Sequence, residues 1–110
     1  MDYRIKRKWI SALKSKRYKQ GFGSLKSIAS IQSLDAYCPL GVLTDLYAQA
    51  NKLDAWPTGW WEYVNAPPEV RDWSGIKDTT CQTIVGLNDR SHWTFEEIAE
   101  FLSKYKAKEL

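Results

Sequence analysis

The stretch TFEEIAEFLSKY, residues 94–105, shows the folding pattern of this chain at its plainest. Thr94 followed by Glu97 is a capping box, in which each side chain bonds the other residue's backbone N–H at a helix start. Phe95, Ile98, Ala99, Leu102 and Tyr105 then recur at intervals of three and four. That spacing predicts a helix running to about Tyr105 with one apolar stripe. Upstream, YCPLGVLTDLYAQANK (residues 37–52) repeats the logic. Pro39 sits at a first-turn position where its missing N–H costs nothing, Leu40, Leu43, Leu46, Tyr47 and Ala50 form a stripe, and Asn51-Lys52 ends the element. Gly41, in the first turn, suits the close approach of a neighbour.

At the amino end Asp2 is placed to cap a helix from about Tyr3 to Arg17, with Ile5, Trp9, Ala12 and Leu13 on its apolar side. Its basic residues read as spread around the remaining surface, and Gly21 suits the left-handed position after the last turn. Residues 24–34 place Leu25, Ile28, Ile31 and Leu34 three apart, a pattern that fits a helix, a 3₁₀ run or an irregular strand. Residues 53–68 read as a loop or short hairpin around Pro57-Thr58-Gly59. Pro68 and Gly75 bracket a short helix, with Val70 and Trp73 as its inward pair. TTCQTIVGL (residues 79–87) has the β-branched content of a strand, with Asn88-Asp89 as the turn after it. The expected architecture is α+β and predominantly helical: one small domain over residues 1–110, with about three to four helices and a short β element or hairpin.

At 110 residues, with 44% apolar and 26% charged side chains, the chain suits one modest core, and wholesale disorder is not expected. No apolar run approaches the ~20 residues that span a bilayer, and no apolar segment follows the charged amino end as in a secretory signal, so a cytoplasmic protein is expected. Cys38, Cys81 and the lone His92 lack metal-ligand spacing. Cys38 near a helix start could in principle be paired with His92 as a nucleophile, but a buried structural thiol is the commoner outcome. The thirteen acids single out no catalytic pair. Neither an enzyme nor a cofactor is expected.

Charge is divided unevenly. Residues 1–26 hold nine basic side chains against the single acid Asp2, whereas the rest of the chain holds seven against twelve. Such a basic quarter points to an anionic partner. The sharpest candidate is the run from Arg17 to Lys26. Gly21 and Gly23 would let backbone N–H groups face one concavity, flanked by Arg17, Lys19 and Lys26, with the Ser24 hydroxyl beside them and Tyr18 or Phe22 stacking on a ring. It lacks the spacing of a P-loop and of a dinucleotide fingerprint. The second candidate is the aromatic group Trp56, Trp60, Trp61 and Tyr63, in a chain with six Trp and six Tyr.

Four strings carry a resemblance: WISALKSKRYKQGFGSLKS (residues 9–27), YCPLGVLTDLYAQ (37–49), PPEVRDWSGI (67–76) and LNDRSHWTFEEIAEFL (87–102). Their order and pattern resemble a group of small phage and prophage proteins of unassigned function. Pro39 and Thr44 stand where members of that group often carry cysteine, so no thiol chemistry transfers to this chain. The resemblance assigns no functional residue. It implies a setting, a phage or mobile-element product in a bacterial host cytoplasm. The favoured expectation is therefore a non-enzymatic binding protein that captures a phosphate-bearing small molecule, such as a nucleotide signal, in counter-defence. The alternatives are an inhibitor that grips a host protein through its tryptophans, and nucleic-acid binding through the basic amino-terminal segment.

Overall fold

A computed structural model of the chain describes residues 1–28 and 35–110. The fold is α+β and predominantly helical, with five α-helices among the described residues where three or four were expected. They are α1 (Tyr3–Lys14), α2 (Pro39–Ala50), α3 (Pro68–Ser74), α4 (Asp78–Asp89) and α5 (Phe95–Ser103). The strands are β1 (Lys19–Gln20), β2 (Lys26–Ile28) and β3 (Asp35–Tyr37), in the order β1-β3-β2, with β1 parallel and β2 antiparallel to the central strand. Residues 29–34, which include Ile31 and Leu34 of the ambiguous segment, lie outside the described residues.

Several ends follow their caps. The Asp2 carboxylate accepts from the Ile5 N–H at 3.0 Å, and the reciprocal Thr94–Glu97 box closes the start of α5. The Cys38 sulfur, rather than a hydroxyl, caps α2 by accepting from the Gly41 N–H. Gly75 ends α3 at φ +71°, where a side chain would be strained. Helix α1 stops at Lys14 instead of Arg17, because the Ser15 hydroxyl donates to the Ala12 carbonyl and accepts from the Arg17 N–H, competing with the helical ladder. Lys16, at φ +62°, takes the left-handed turn expected of Gly21. Gly21 instead lies flat on the central strand, where a Cβ would come within 2.9 Å of the Ala36 Cβ.

The largest correction concerns residues 79–87, which form most of α4 and not a strand. Thr80, Cys81, Ile84 and Asn88 are buried at helical spacing, and the Thr83 hydroxyl bonds the Thr79 carbonyl one turn back. The weak preference of threonine, isoleucine and valine for strands gives way to packing against α2. Asn88-Asp89 is accordingly the last turn of that helix and no loop. Residues 53–67 form a loop with a 3₁₀ turn at Trp60–Glu62 and no hairpin, and Pro68 already belongs to α3. In α2 burial extends from Pro39 to Thr44 and returns at Ala48, while Leu46 and Tyr47 are half-buried and Ala50 is exposed.

Trp9, Leu13, Leu40, Leu43, Ile84, Ile98 and Leu102 make one core in which α1 lies against α2 and α5. The Trp9 indole N–H, fully buried, donates to the Pro39 carbonyl at 2.8 Å and so ties α1 to the first turn of α2. Over that same turn passes the backbone of Leu25. Its N–H donates to the Tyr63 carbonyl at 2.7 Å, and its own carbonyl accepts from the Cys38 N–H at 3.2 Å. A Cβ on Gly41 would overlap the Leu25 carbonyl oxygen. At an unobstructed helix position Gly→Ala stabilises by up to about 1 kcal/mol. Here Gly41→Ala is expected to destabilise the fold by about 3 kcal/mol instead, through overpacking against backbone. A thermal melt reads the difference as a fall of more than about 10 °C, and an unchanged or raised midpoint would disprove the contact.

No helix among the described residues is long and apolar enough to cross a membrane.

Candidate functional site

The run from Arg17 to Lys26 is folded into the protein by its polar groups. Gln20 points inward: its amide donates to the Asn88 side-chain oxygen and the Trp93 carbonyl, both at 2.7 Å, and accepts from the Phe95 N–H at 3.1 Å. Asn88 returns a bond to the Gly21 carbonyl at 3.0 Å. The two glycine N–H groups expected to face a phosphate have internal acceptors. Gly21 donates to the Tyr37 carbonyl at 2.7 Å and Gly23 to the Asp89 carboxylate at 3.0 Å. A carboxylate thus already accepts from the Gly23 N–H. Phe22 is exposed against His92, with ring centroids 4.9 Å apart, and the Ser24 hydroxyl bonds the Lys26 carbonyl.

The three cations of this run part company. Arg17 and Lys19 are exposed, whereas Lys26, on the opposite edge strand from Lys19, turns inward. Its ammonium lies 4.3 Å from the Trp61 ring centroid, 4.9 Å from Trp56 and 5.2 Å from Tyr37, with the Asp35 carboxylate at 3.5 Å. Only 13% of its side chain reaches solvent. Behind the rings, Asp45 accepts from the Tyr18 hydroxyl at 2.7 Å, the Gln49 amide at 2.8 Å and the Trp56 indole at 3.3 Å. Tyr18 meets Tyr37 edge-on at 4.9 Å. Burial, reinforced by the bond to Asp45, pushes the Tyr18 phenol well above its ordinary range. Burial with the nearby Asp45 and Asp35 charges pushes Tyr37 up to about 12.

Two groups of residues that looked separate in sequence therefore meet: Tyr18 and Lys26 from one, Trp56 and Trp61 from the other. Trp60 leaves the second group for the core. It is 5% exposed and packs on Tyr47, which in turn meets Trp73 edge-on. Tyr63 stays on the surface beside the exposed Val64.

Both thiols are free and buried. Burial pushes Cys38 up to about 12, against the lowering effect of its bond from Gly41, and pushes Cys81 up to about 11. Among the described residues no group of three or more His, Cys, Asp or Glu side chains is arranged to hold a metal ion.

One feature of the surface escaped the sequence reading. Arg4, Arg7, Lys8, Ser11 and Lys14 are all exposed, and at 3.6 residues per turn they fall within about 120° of the α1 circumference. The basic side chains thus share one face. Lys6 is the exception, buried and bonded to the Tyr105 carbonyl. Among the described residues the ion pairs are Lys26–Asp35 and Arg71–Asp78, and neither involves α1.

The Gln20–Asn88 clamp holds β1 on α4 and α5. Gln20→Ala strips a bond acceptor from Phe95 and a donor from the buried Asn88, and is expected to lower stability by about 2 kcal/mol. Differential scanning calorimetry should show the midpoint drop by about 10 °C, and an unshifted midpoint would mean the clamp carries no energy.

No curated protein and no solved structure matches the chain. The family model described as a domain of unknown function (DUF8296) matches residues 1–106, and the chain belongs to that family.

Proposed function

We propose that this protein is a non-enzymatic binding protein that takes nucleic acid on the basic face of α1, working in a phage-infected bacterial cytoplasm. The observation that carries the reading is the uncompensated row of Arg4, Arg7, Lys8 and Lys14 on the solvent side of one helix. Arg4 and Lys14 stand ten residues apart, about 15 Å along the axis, and Lys16, Arg17 and Lys19 continue the exposed charge beyond the helix end. A compact phosphate ligand would meet only part of such a row. A strand presenting a charge every ~3.4 Å meets all of it. Tyr3, exposed at the start of the row with the Arg7 guanidinium 5.7 Å from its ring centroid, offers a face on which an unpaired base can stack.

Other features shift weight away from the remaining readings. A phosphate-bearing small molecule in the Gly21–Gly23 turn would compete with Asp89 for the same N–H group. A protein partner gripped by tryptophans would find Trp60 in the core and Trp56 and Trp61 spent on Lys26.

Fluorescence anisotropy with a labelled oligonucleotide tests the reading. Four phosphates neutralised give a log–log salt slope of about −3 to −4. Replacing Arg7, Lys8 and Lys14 together by Gln, all at exposed positions, is expected to weaken binding at low salt and flatten the slope by about one for each residue removed. No binding at low salt, or an unchanged slope in the triple variant, overturns the proposal. Free nucleotides that raise the melting temperature where oligonucleotides do not would return the phosphate-bearing small molecule to first place.

A further inference from the structure

The enclosure around Lys26 has the form of a cation receptor that carries its own occupant. Three aromatic rings surround the ammonium within 4.3 to 5.2 Å, a range in which the ring quadrupole attracts positive charge. The carboxylates of Asp35 and Asp45 border the same rings, one beside the ammonium and the other bonded to the Trp56 indole. With Lys26 removed, the Asp35 carboxylate and three π faces would border the vacated space, with Asp45 behind the rings. Its chemistry then selects a cation.

The kind of cation follows from what ring faces lack. A primary ammonium has three N–H donors to satisfy, and π faces are poor acceptors. Among the described residues Lys26 meets the Asp35 carboxylate at 3.5 Å and faces three rings that cannot replace the water it has lost. A methylated ammonium has fewer donors, or none, and its methyl groups gain contact with the same rings. Two of the three walls are braced before any ligand arrives. Asp45 holds Trp56, Tyr18 braces Tyr37 edge-on, and Tyr37 is built into the central strand. The plug, by contrast, sits on the edge strand β2 at the end of a flexible four-carbon stem.

We infer that Tyr37, Trp56 and Trp61 form a receptor for a quaternary or methylated ammonium group, and that Lys26 is a built-in competitor for it. The inference is independent of the basic face of α1, which lies on another element. The ligand class is a small quaternary ammonium, or a methylated lysine presented by a partner.

Tetramethylammonium chloride is the simplest probe, titrated against the intact chain while tryptophan fluorescence is followed, with sodium chloride at matched ionic strength as the control. Lys26→Ala is expected to show a saturable change, and the unsubstituted protein one at least tenfold weaker in affinity. Trp61→Ala in the Lys26→Ala background should abolish it. Should Lys26→Ala fail to fold, Lys26→Gln keeps two of the four methylenes without the charge and carries the same expectation. A response no different from sodium chloride in the folded Lys26 variants overturns the proposal, as does equal affinity with and without Lys26. Saturable binding that survives Trp61→Ala places the ligand elsewhere and overturns it too.

Discussion

The contact between the Leu25 backbone and the first turn of α2 governs the rest of the site. Gly41 is the only residue type that lets the Leu25 carbonyl lie so close to a helix, and that carbonyl is also the acceptor for the Cys38 N–H. With Leu25 pinned from below by α2 and from the side by the Tyr63 carbonyl, β2 starts at a fixed height above the core. Lys26 is the next residue. Its position over the tryptophans is therefore a consequence of a backbone-to-backbone fit 15 residues away in sequence, not of any preference of its own. The aromatic loop, the sheet edge and the helix start are one construction.

The strings that mark the family resemblance find their physical meaning in contacts of this kind. Trp9 donates to the carbonyl of Pro39, Tyr18 to Asp45, and Gln20 to Asn88, while Gly23 donates to Asp89. Each bond joins a residue of the first string to one of the second or the last. Polar groups that in sequence resemble a binding loop are, in the fold, the means of attaching a short irregular sheet to a helical core. That attachment is needed because β1 spans two residues, too few to be held by its ladder alone. Side-chain bonds supply what a longer ladder would.

The legible part of the sequence was the part decided locally. The Thr94–Glu97 box, Pro39 at the start of α2, and the Pro68 and Gly75 boundaries of α3 are all set within a few residues, and the structure places them as the sequence implies. Helix α4 was illegible for a physical reason. Its buried stripe includes Thr80 and Asn88, polar residues that a hydrophobic count discards, and its β-branched members favour a strand until a neighbouring helix decides otherwise. Gly21 misled because glycine permits both a left-handed turn and a close approach, and only Ala36 across the sheet tells which. The basic face of α1 was hidden by Lys6. It reads as part of an all-round distribution until burial removes it from the surface. The enclosure around Lys26 joins residues 26, 37, 56 and 61, a spacing that no local pattern records.

The lysines of this protein show how one side chain serves opposite ends under different solvation. On α1 the cations keep their water, and what they offer is long-range attraction that salt screens over about 10 Å. Inside the ring enclosure Lys26 has given up most of its water for π faces and the Asp35 carboxylate, an environment in which dissolved ions screen little. The first arrangement, in the role proposed for it, would draw a partner in from a distance without specifying its shape. The second, in the role inferred for it, would select shape and degree of alkylation at contact range, with its attraction for an outside cation set by how readily Lys26 withdraws. Because the two arrangements obey different physical laws, they can be varied separately in the same molecule.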